Sequence, residues 1–346
     1  MRRVVFITQR VDPADANLGA TAAKIAALAR RVDEVVVLCD RGVDGVLPEN
    51  CRLRRFGAPT RMGRAYRYLT ALNDELSPKP LLVLGHMVPL YTVVAAPFVR
   101  LRRVPLMLWY THWKSHVVVR SAMLFCTHLL SLDVRSFPLR SPKLHGIGHG
   151  IDPSEFPCAP PREGDGPLRV MSLGRYSAQK KLDELIEGVR IAREHGLDAT
   201  IELHGTDWSP AETAHKRELE QLVAQPGYEF ATVGGEVART DLPPYYARVD
   251  VVASNFISPD KIVLEACASC RPVLASDECF DRLFDGIEPA LAFERGRPET
   301  FADRLLALGA LDAGRRHAIG RELRARMQAQ HSVDTWAAAV LRLAEA

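Results

Sequence analysis

The run from Leu168 to Gly196, LRVMSLGRYSAQKKLDELIEGVRIAREHG, decides the fold. Leu168–Leu173 is a short apolar stretch of the kind that a buried parallel strand gives. Ser177 follows as a helix cap, and Leu182, Leu185, Ile186 and Val189 recur at the 3.6-residue period of an amphipathic helix. Gly196 supplies the stop, because the residue after a helix C-terminus commonly takes a left-handed conformation. Strand, loop and helix make one βα unit, and the chain repeats that unit on both sides.

Working outward, further strands are expected at Thr200–His204, Glu229–Val233, Asp250–Ser254 and Pro272–Ser276. In the first half they are expected at Val4–Thr8, Glu34–Cys39, Leu81–Gly85, Pro105–Trp109 and His128–Leu132. Helical stretches such as Ala22–Arg31 lie between them, and alternation of this kind implies parallel sheets with helices on both faces. Pro153–Pro167 holds five prolines and two glycines in fifteen residues, the composition of a linker. The expected organisation is an N-terminal Rossmann-like domain at 1–152, a linker at 153–167 and a second Rossmann-like domain at 168–330. A terminal helix at 331–346 would pack back on the first domain. The two parallel sheets would face a central cleft at the carboxyl ends of their strands.

The length of 346 residues fits two domains, since single cores rarely grow beyond about 250–300 residues. Seven scattered cysteines argue for a reducing compartment rather than a disulfide framework, and Cys267 and Cys270 read as helix packing. Met1-Arg-Arg leads straight into the strand-like Val4–Thr8, which is not a secretory signal. The apolar window Leu81–Val99 is broken by Gly85, His86, Pro89 and Pro97, so it reads as strand, turn and helix rather than a membrane span. Charge is uneven. Residues 1–150 hold 22 basic and 10 acidic residues, a balance of +12, and the remainder holds 23 against 32, a balance of −9.

Three segments of the second half carry chemistry. In Gly174-Arg175-Tyr176-Ser177-Ala178-Gln179-Lys180, two cations flank a helix start, where unsatisfied backbone N–H groups also attract anions. That is a diphosphate site, or else two surface cations beside a cap. In the second segment, the turn Ser258-Pro259-Asp260 opens a helix that carries Glu265 amid Ile262, Val263, Leu264 and Ala266. A carboxylate so placed needs partners, which vicinal ribose hydroxyls would supply. Asp260 could accept from a sugar hydroxyl or merely cap the helix. The third segment, from Leu242 through Tyr246 to Asp250, reads as a short helix running into a strand. His204-Gly205-Thr206 ends another strand and could line the site.

Taken in order, Gly174-Arg175…Lys180, Leu242…Tyr246…Asp250 and Leu264-Glu265-Ala266…Pro272-Val273 resemble the C-terminal domain of the family 4 retaining glycosyltransferases. These have the GT-B fold and belong to the glycosyltransferase group 1 type. The first half is similar more loosely. Asn17-Leu18-Gly19 falls where that family has a glycine-rich loop near the acceptor, and His112, in Trp109-Tyr110-Thr111-His112-Trp113, where it has an active-site histidine. Gly148-His149-Gly150-Ile151-Asp152 resembles its turn at the domain junction. The resemblance implies a metal-independent, cofactor-free transferase that moves a sugar from a nucleotide-diphosphate sugar to an acceptor hydroxyl, with a role in polysaccharide or glycolipid synthesis. Catalytic roles would fall to His112, Arg175 and Lys180. Arg175, Lys180, Glu265, Asp260, Ser258 and Gly205 would bind the donor, and Gly19, Asn17 and His112 would stand on the acceptor side.

The sequence departs from that pattern in places. The family has two glutamates eight positions apart, and the first would fall at Ile257. Its small Gly-x-Gly is Ser258-Pro259-Asp260, in which Pro259 cannot donate a backbone hydrogen bond. Lys181 and Cys270 stand where glycine is common. Alternative functions are a nucleotide-sugar epimerase on the same scaffold and a non-catalytic sugar-nucleotide-binding module. No G-x-G-x-x-G follows a strand, which disfavours an oxidoreductase. The histidines lack metal-ligand spacing.

The expected partners are the nucleotide sugar and an acceptor glycan, lipid-linked sugar or small molecule, with no nucleic acid. Arg52, Arg54, Arg55, Arg61, Arg64, Arg67, Arg100, Arg102 and Arg103 suggest peripheral contact with an anionic membrane. That would be the inner face of the membrane for a cytoplasmic protein; the alternative is an ordinary solvated basic face. On the expected helix Arg61–Leu76, the positions Met62, Ala65, Tyr66, Leu69 and Leu72 follow helical spacing.

Overall fold

The computed structural model describes residues 1–15, 18–112, 115–162, 164 and 166–346. Asn17 and Trp113 lie outside the described residues. The chain divides into an N-terminal unit, Met1–Asp152 with Gln330–Ala346, and a C-terminal unit, Pro153–Ala329.

The N-terminal unit is built on β1 (Arg3–Val11), β2 (Glu34–Gly42), β3 (Cys51–Arg55), β4 (Leu82–His86), β5 (Leu106–Trp109), β6 (His128–Ser131) and β7 (Leu144–Gly146). All pair in parallel, in the order β3-β2-β1-β4-β5-β6-β7. Because strand side chains alternate between faces, β1 feeds two cores. Val4 and Phe6 pack with Ile25 and Leu28 of α1 (Ala20–Ala29), and Val5 and Ile7 pack on the other face with Tyr68 and Leu72 of α2 (Arg61–Glu75). That second face also takes Ala95 and Val99 of α3 (Pro89–Leu101) and Val119 of α4 (Val117–Phe125). The edge strands β3 and β7 had no sequence signal, because a strand open on one side does not need an apolar run.

Two expectations for this unit are corrected. The buried stripe of α2 runs through Tyr68, Ala71, Leu72 and Glu75, whereas Met62 and Tyr66 are exposed, at 85% and 72%. The stripe turns on Glu75, a buried carboxylate that no apolar pattern would include. Arg52 grips it with two bonds of 2.7 Å and Arg54 adds one of 2.6 Å. Burial opposes ionisation of Glu75, but the two guanidinium groups outweigh it and hold the carboxyl below its ordinary value. The charges of Arg52 and Arg54 are therefore partly compensated by Glu75, although Arg52 itself stays exposed.

The C-terminal unit is smaller in sheet and richer in helix. Its strands are β8 (Leu168–Leu173), β9 (Ala199–His204), β10 (Ala231–Val233), β11 (Val251–Ser254) and β12 (Val273–Ala275), again all parallel. Their order, β10-β9-β8-β11-β12, reproduces the first five places of the other sheet. The helices are α5 (Leu182–Glu194), α6 (Pro210–Val223), α7 (Leu242–Ala247), α8 (Lys261–Ala268), α9 (Asp281–Phe284) and α10 (Pro298–Gly309). Then α11 (Ala313–His331) runs past Ala329, and α12 (Val333–Glu345) puts Trp336 and Val340 into the first core of the N-terminal unit.

The linker is stitched to the C-terminal unit. Ala159 N–H donates to the Ser269 carbonyl (3.2 Å), Arg271 to the Pro160 carbonyl (2.8 Å) and Arg324 to the Phe156 carbonyl (2.7 Å). This brings Cys158 beside Cys270, and the two form a disulfide across 112 residues. The cysteine reading is corrected accordingly. Cys267 is a buried free thiol, but Cys270 cross-links the linker, a pairing that no local spacing announces.

Candidate functional site

In the C-terminal unit the strand order changes direction between β8 and β11. Open α/β sheets bind ligands outside the carboxyl ends of their strands at such a switch point. The chain leaves β8 through Gly174, whose φ of +128° favours glycine. A Cβ there would lie 2.2 Å from Lys180 Nζ, and a Cβ on Gly205, just past β9, would lie 1.5 Å from the Gly174 carbonyl oxygen. Two backbones and one lysine share a space that a side chain at either glycine would fill.

Lys180 belongs to a short 3₁₀ turn, Ala178–Lys180, in which the Ser177 side chain accepts from Gln179 N–H. Lys181 then takes a left-handed conformation (φ 46°), and α5 begins only at Leu182. The expected single helix after Ser177 is thus two elements, because the reversal at Lys181 ends the first turn before the second starts. Cys270 is left-handed too, at φ 58°. These are the two positions where the resembled family commonly has glycine, and the backbone gives the reason: a side chain is disfavoured in this conformation.

Lys180 Nζ donates to the Leu173 carbonyl (2.7 Å) and to Asp260 Oδ2. Asp260 stands at the N-cap position of α8 but makes no side-chain cap bond; instead it accepts from Ser254 Oγ at 3.3 Å. Arg175 is half exposed and donates to Glu212 Oε1 (3.1 Å). The other Glu212 oxygen is held by the N–H groups of Trp208 and Ser209 at the start of α6. Lys181 pairs with Glu184 at 3.4 Å. Each of the three cations at this corner therefore has a carboxylate beside it.

Glu265 is fully buried on α8. Arg239 donates to its Oε1, and the Tyr246 hydroxyl to its Oε2 (3.0 Å). Burial pushes the carboxyl up, but Arg239 and Lys261 outweigh it, so the group is held below its ordinary value. Burial and the Glu265 charge together raise the Tyr246 hydroxyl well above its own. Arg239 also reaches Glu155 in the linker. Asp250 accepts from Arg169 N–H (2.9 Å) and from Arg162 (3.0 and 3.1 Å). Tyr246 and Asp250 thus act here as internal supports. Ser258 is buried beside the site and Ile257 is 38% exposed.

Arg175, Lys180, Gly205, Ser258, Asp260 and Glu265 all belong to the C-terminal unit, in the segments that follow β8, β9 and β11. Gly19 and His112 belong to the other unit. Gly19 is the N-cap of α1 with its N–H on the Asp15 carbonyl (2.9 Å), and His112 lies past β5 with its ring 6.1 Å from that of Tyr110. The partners missed from sequence are Arg239, Glu212 and Arg162. Each is a charged residue in an unremarkable polar stretch, and only the folded chain brings it to its carboxylate or cation. Among the described residues no cluster of three or more metal-ligating side chains occurs, and no helix is long and apolar enough to cross a membrane.

Residues 167–310 match the family model described as glycosyl transferases group 1. Within the C-terminal unit, this stretch is thus similar to the group 1 glycosyltransferases. Mannosylfructose-phosphate synthase of Agrobacterium fabrum is 28% identical over 203 residues, covering 54% of this chain and 43% of that protein, so the match spans less than half of the relative's length. Among solved structures, Anabaena HepE in complex with UDP and glucose aligns over 99% of both chains, with a TM-score of 0.73 at 17% identity. Sucrose-phosphate synthase from Thermosynechococcus elongatus aligns over 100% of this chain and 98% of that one, with a TM-score of 0.72 at 17% identity. WaaG, a glycosyltransferase involved in lipopolysaccharide biosynthesis, aligns over 98% of both, with a TM-score of 0.64 at 14% identity. At these identities the likeness is one of fold, and the fold is GT-B.

Proposed function

We propose that this chain is a retaining glycosyltransferase that takes a sugar from a nucleoside-diphosphate donor held by its C-terminal unit, without a divalent ion. The observation that carries the reading is the placement of Arg175 and Lys180 around Gly174, at the switch point of a sheet lying within the matched residues. Departure of the diphosphate breaks the bond between the sugar C1 and the phosphate oxygen, and negative charge develops on that oxygen. Fixed cations there stabilise the transition state more than the ground state. The acceptor oxygen would bond to C1 from the same face while its proton passes to the leaving phosphate oxygen, so no side-chain nucleophile is required. Ser258 and Gly205 are proposed for the ribose and sugar side of the donor, His112 for the sugar, and Gly19 and Asn17 for the acceptor. Glu265, expected from the sequence on the ribose, is fully buried with its oxygens on Arg239 and Tyr246 and is proposed as an internal support instead. HepE was solved with UDP and glucose, which makes uridine nucleotides the first donors to test.

Thermal-shift screening against UDP, GDP, ADP and their glucose conjugates should raise the melting temperature for one base, since binding the native state stabilises it by mass action. Transfer from that donor should survive excess chelator and give a product with the donor's anomeric configuration by NMR. An inverted linkage, or activity that chelator removes and magnesium restores, would reject the mechanism.

The acceptor is proposed to be presented at a membrane surface. The short connections from β3, β4 and β5 place the N-terminal turns of α2, α3 and α4 at the carboxyl edge of the N-terminal sheet. Met62, Leu90 and Val117 are exposed on those turns and Tyr66 one turn further along α2, at 57–85%, and Arg61, Arg67 and Arg120 are exposed on the same helices. Each basic residue near an anionic leaflet contributes about 1 kcal/mol, so three with apolar neighbours give reversible binding. The protein should sediment with anionic but not neutral vesicles, and less so as salt rises. A protein that stays in the supernatant at low salt points to a soluble acceptor instead.

A further inference from the structure

We propose that Asp260 is an internal counter-ion that competes with the incoming diphosphate for Lys180, and so sets how tightly the nucleotide is held and how readily it leaves. This rests on the reading of the β8–β11 corner as the donor site. Lys180 has three N–H donors. One is spent on the Leu173 carbonyl at 2.7 Å and one on Asp260 Oδ2. Both side chains are about nine-tenths buried, at 9% and 11% exposure, so solvent screens the pair weakly. The Asp260 carboxylate is committed to this place. Its side chain makes no bond to the start of its own helix, although the N-cap position offers one, and Ser254 Oγ holds it toward the lysine.

A phosphate approaching Lys180 therefore meets an ammonium whose charge is already compensated, with an anionic oxygen directly beside it. Binding must displace the carboxylate or bear its repulsion. The penalty grows with ligand charge, and a free nucleoside diphosphate carries more negative charge than its sugar ester. Asp260 thus disfavours the spent nucleotide more than the intact donor, which is the order that product release needs.

The experiment is calorimetric titration of UDP, GDP, ADP, their glucose esters and inorganic pyrophosphate into wild type, Asp260→Asn and Asp260→Ser. Asparagine keeps an oxygen for Lys180 and removes only the charge; serine is the second variant should asparagine fold poorly. The expected result is a tenfold or greater fall in Kd for the nucleoside diphosphate in the neutral variants, with a smaller fall for its sugar ester. Measurable wild-type binding that is unchanged or weaker in both variants overturns the counter-ion role and leaves the site standing. If none of these ligands binds wild type or variants at millimolar concentration, the donor-site reading falls, and the proposal with it.

Discussion

Lys180→Ala is expected to lower kcat/KM by a hundredfold or more, the largest kinetic effect of any single truncation in this chain. Loss of one preorganised charge aimed at the leaving group is worth about 2.7–4 kcal/mol, or roughly 10²–10³ in rate. Lys180 also does more than contribute a charge, because its removal leaves the buried Asp260 carboxylate facing the diphosphate with no cation beside it. Arg175→Ala should have a smaller effect, on the order of tenfold, since that side chain is half exposed and shared with Glu212. Steady-state kinetics on both variants, with melting temperatures to show that they fold, decide the matter. A diagnostic feature is the double variant Lys180→Ala with Asp260→Asn, which should recover part of the lost affinity. Wild-type rates in Lys180→Ala would remove the lysine from the donor site.

How much of this was legible in the sequence follows from the physics of each signal. Strands buried on both faces need continuous apolar runs, so β1, β4, β8 and β11 are plain to read, while the edge strands β3 and β7 are not. The boundary at Pro153 shows in composition, because proline and glycine disfavour regular elements. Arg175, Lys180, Asp260 and Glu265 stand out in the sequence as candidates, but the partners that the fold gives them do not. Whether Asp260 caps its helix or faces a lysine 80 positions away is decided by where β8 and β11 end side by side, and periodicity carries no such information. The same holds for the bond between Cys158 and Cys270. Glycine-like positions occupied by Lys181 and Cys270 were visible as oddities, and the left-handed backbone explains them.

Arg239→Ala should be the most destabilising of the charge-removing substitutions in the C-terminal unit. Glu265 is fully buried and its ionised form depends on Arg239, with Tyr246 and Lys261 in support. Removing one partner of a buried ion pair typically costs about 3–5 kcal/mol, because the remaining charge is left without compensation. Removing both charges is far milder, so Arg239→Ala combined with Glu265→Gln should regain most of the loss, and chemical denaturation of the four proteins measures it. The pH dependence has a definite sign. The folded Glu265 carboxyl lies below its ordinary value, so its contribution to stability is present above that value and is lost as pH falls through the folded one. Wild type should therefore lose stability in acid more steeply than Glu265→Gln. If Arg239→Ala instead melts within a degree or two of wild type, the Arg239–Glu265 pair is not a structural support. Glu265 would then be free to turn toward a ligand, and its effect would appear in donor affinity rather than in stability.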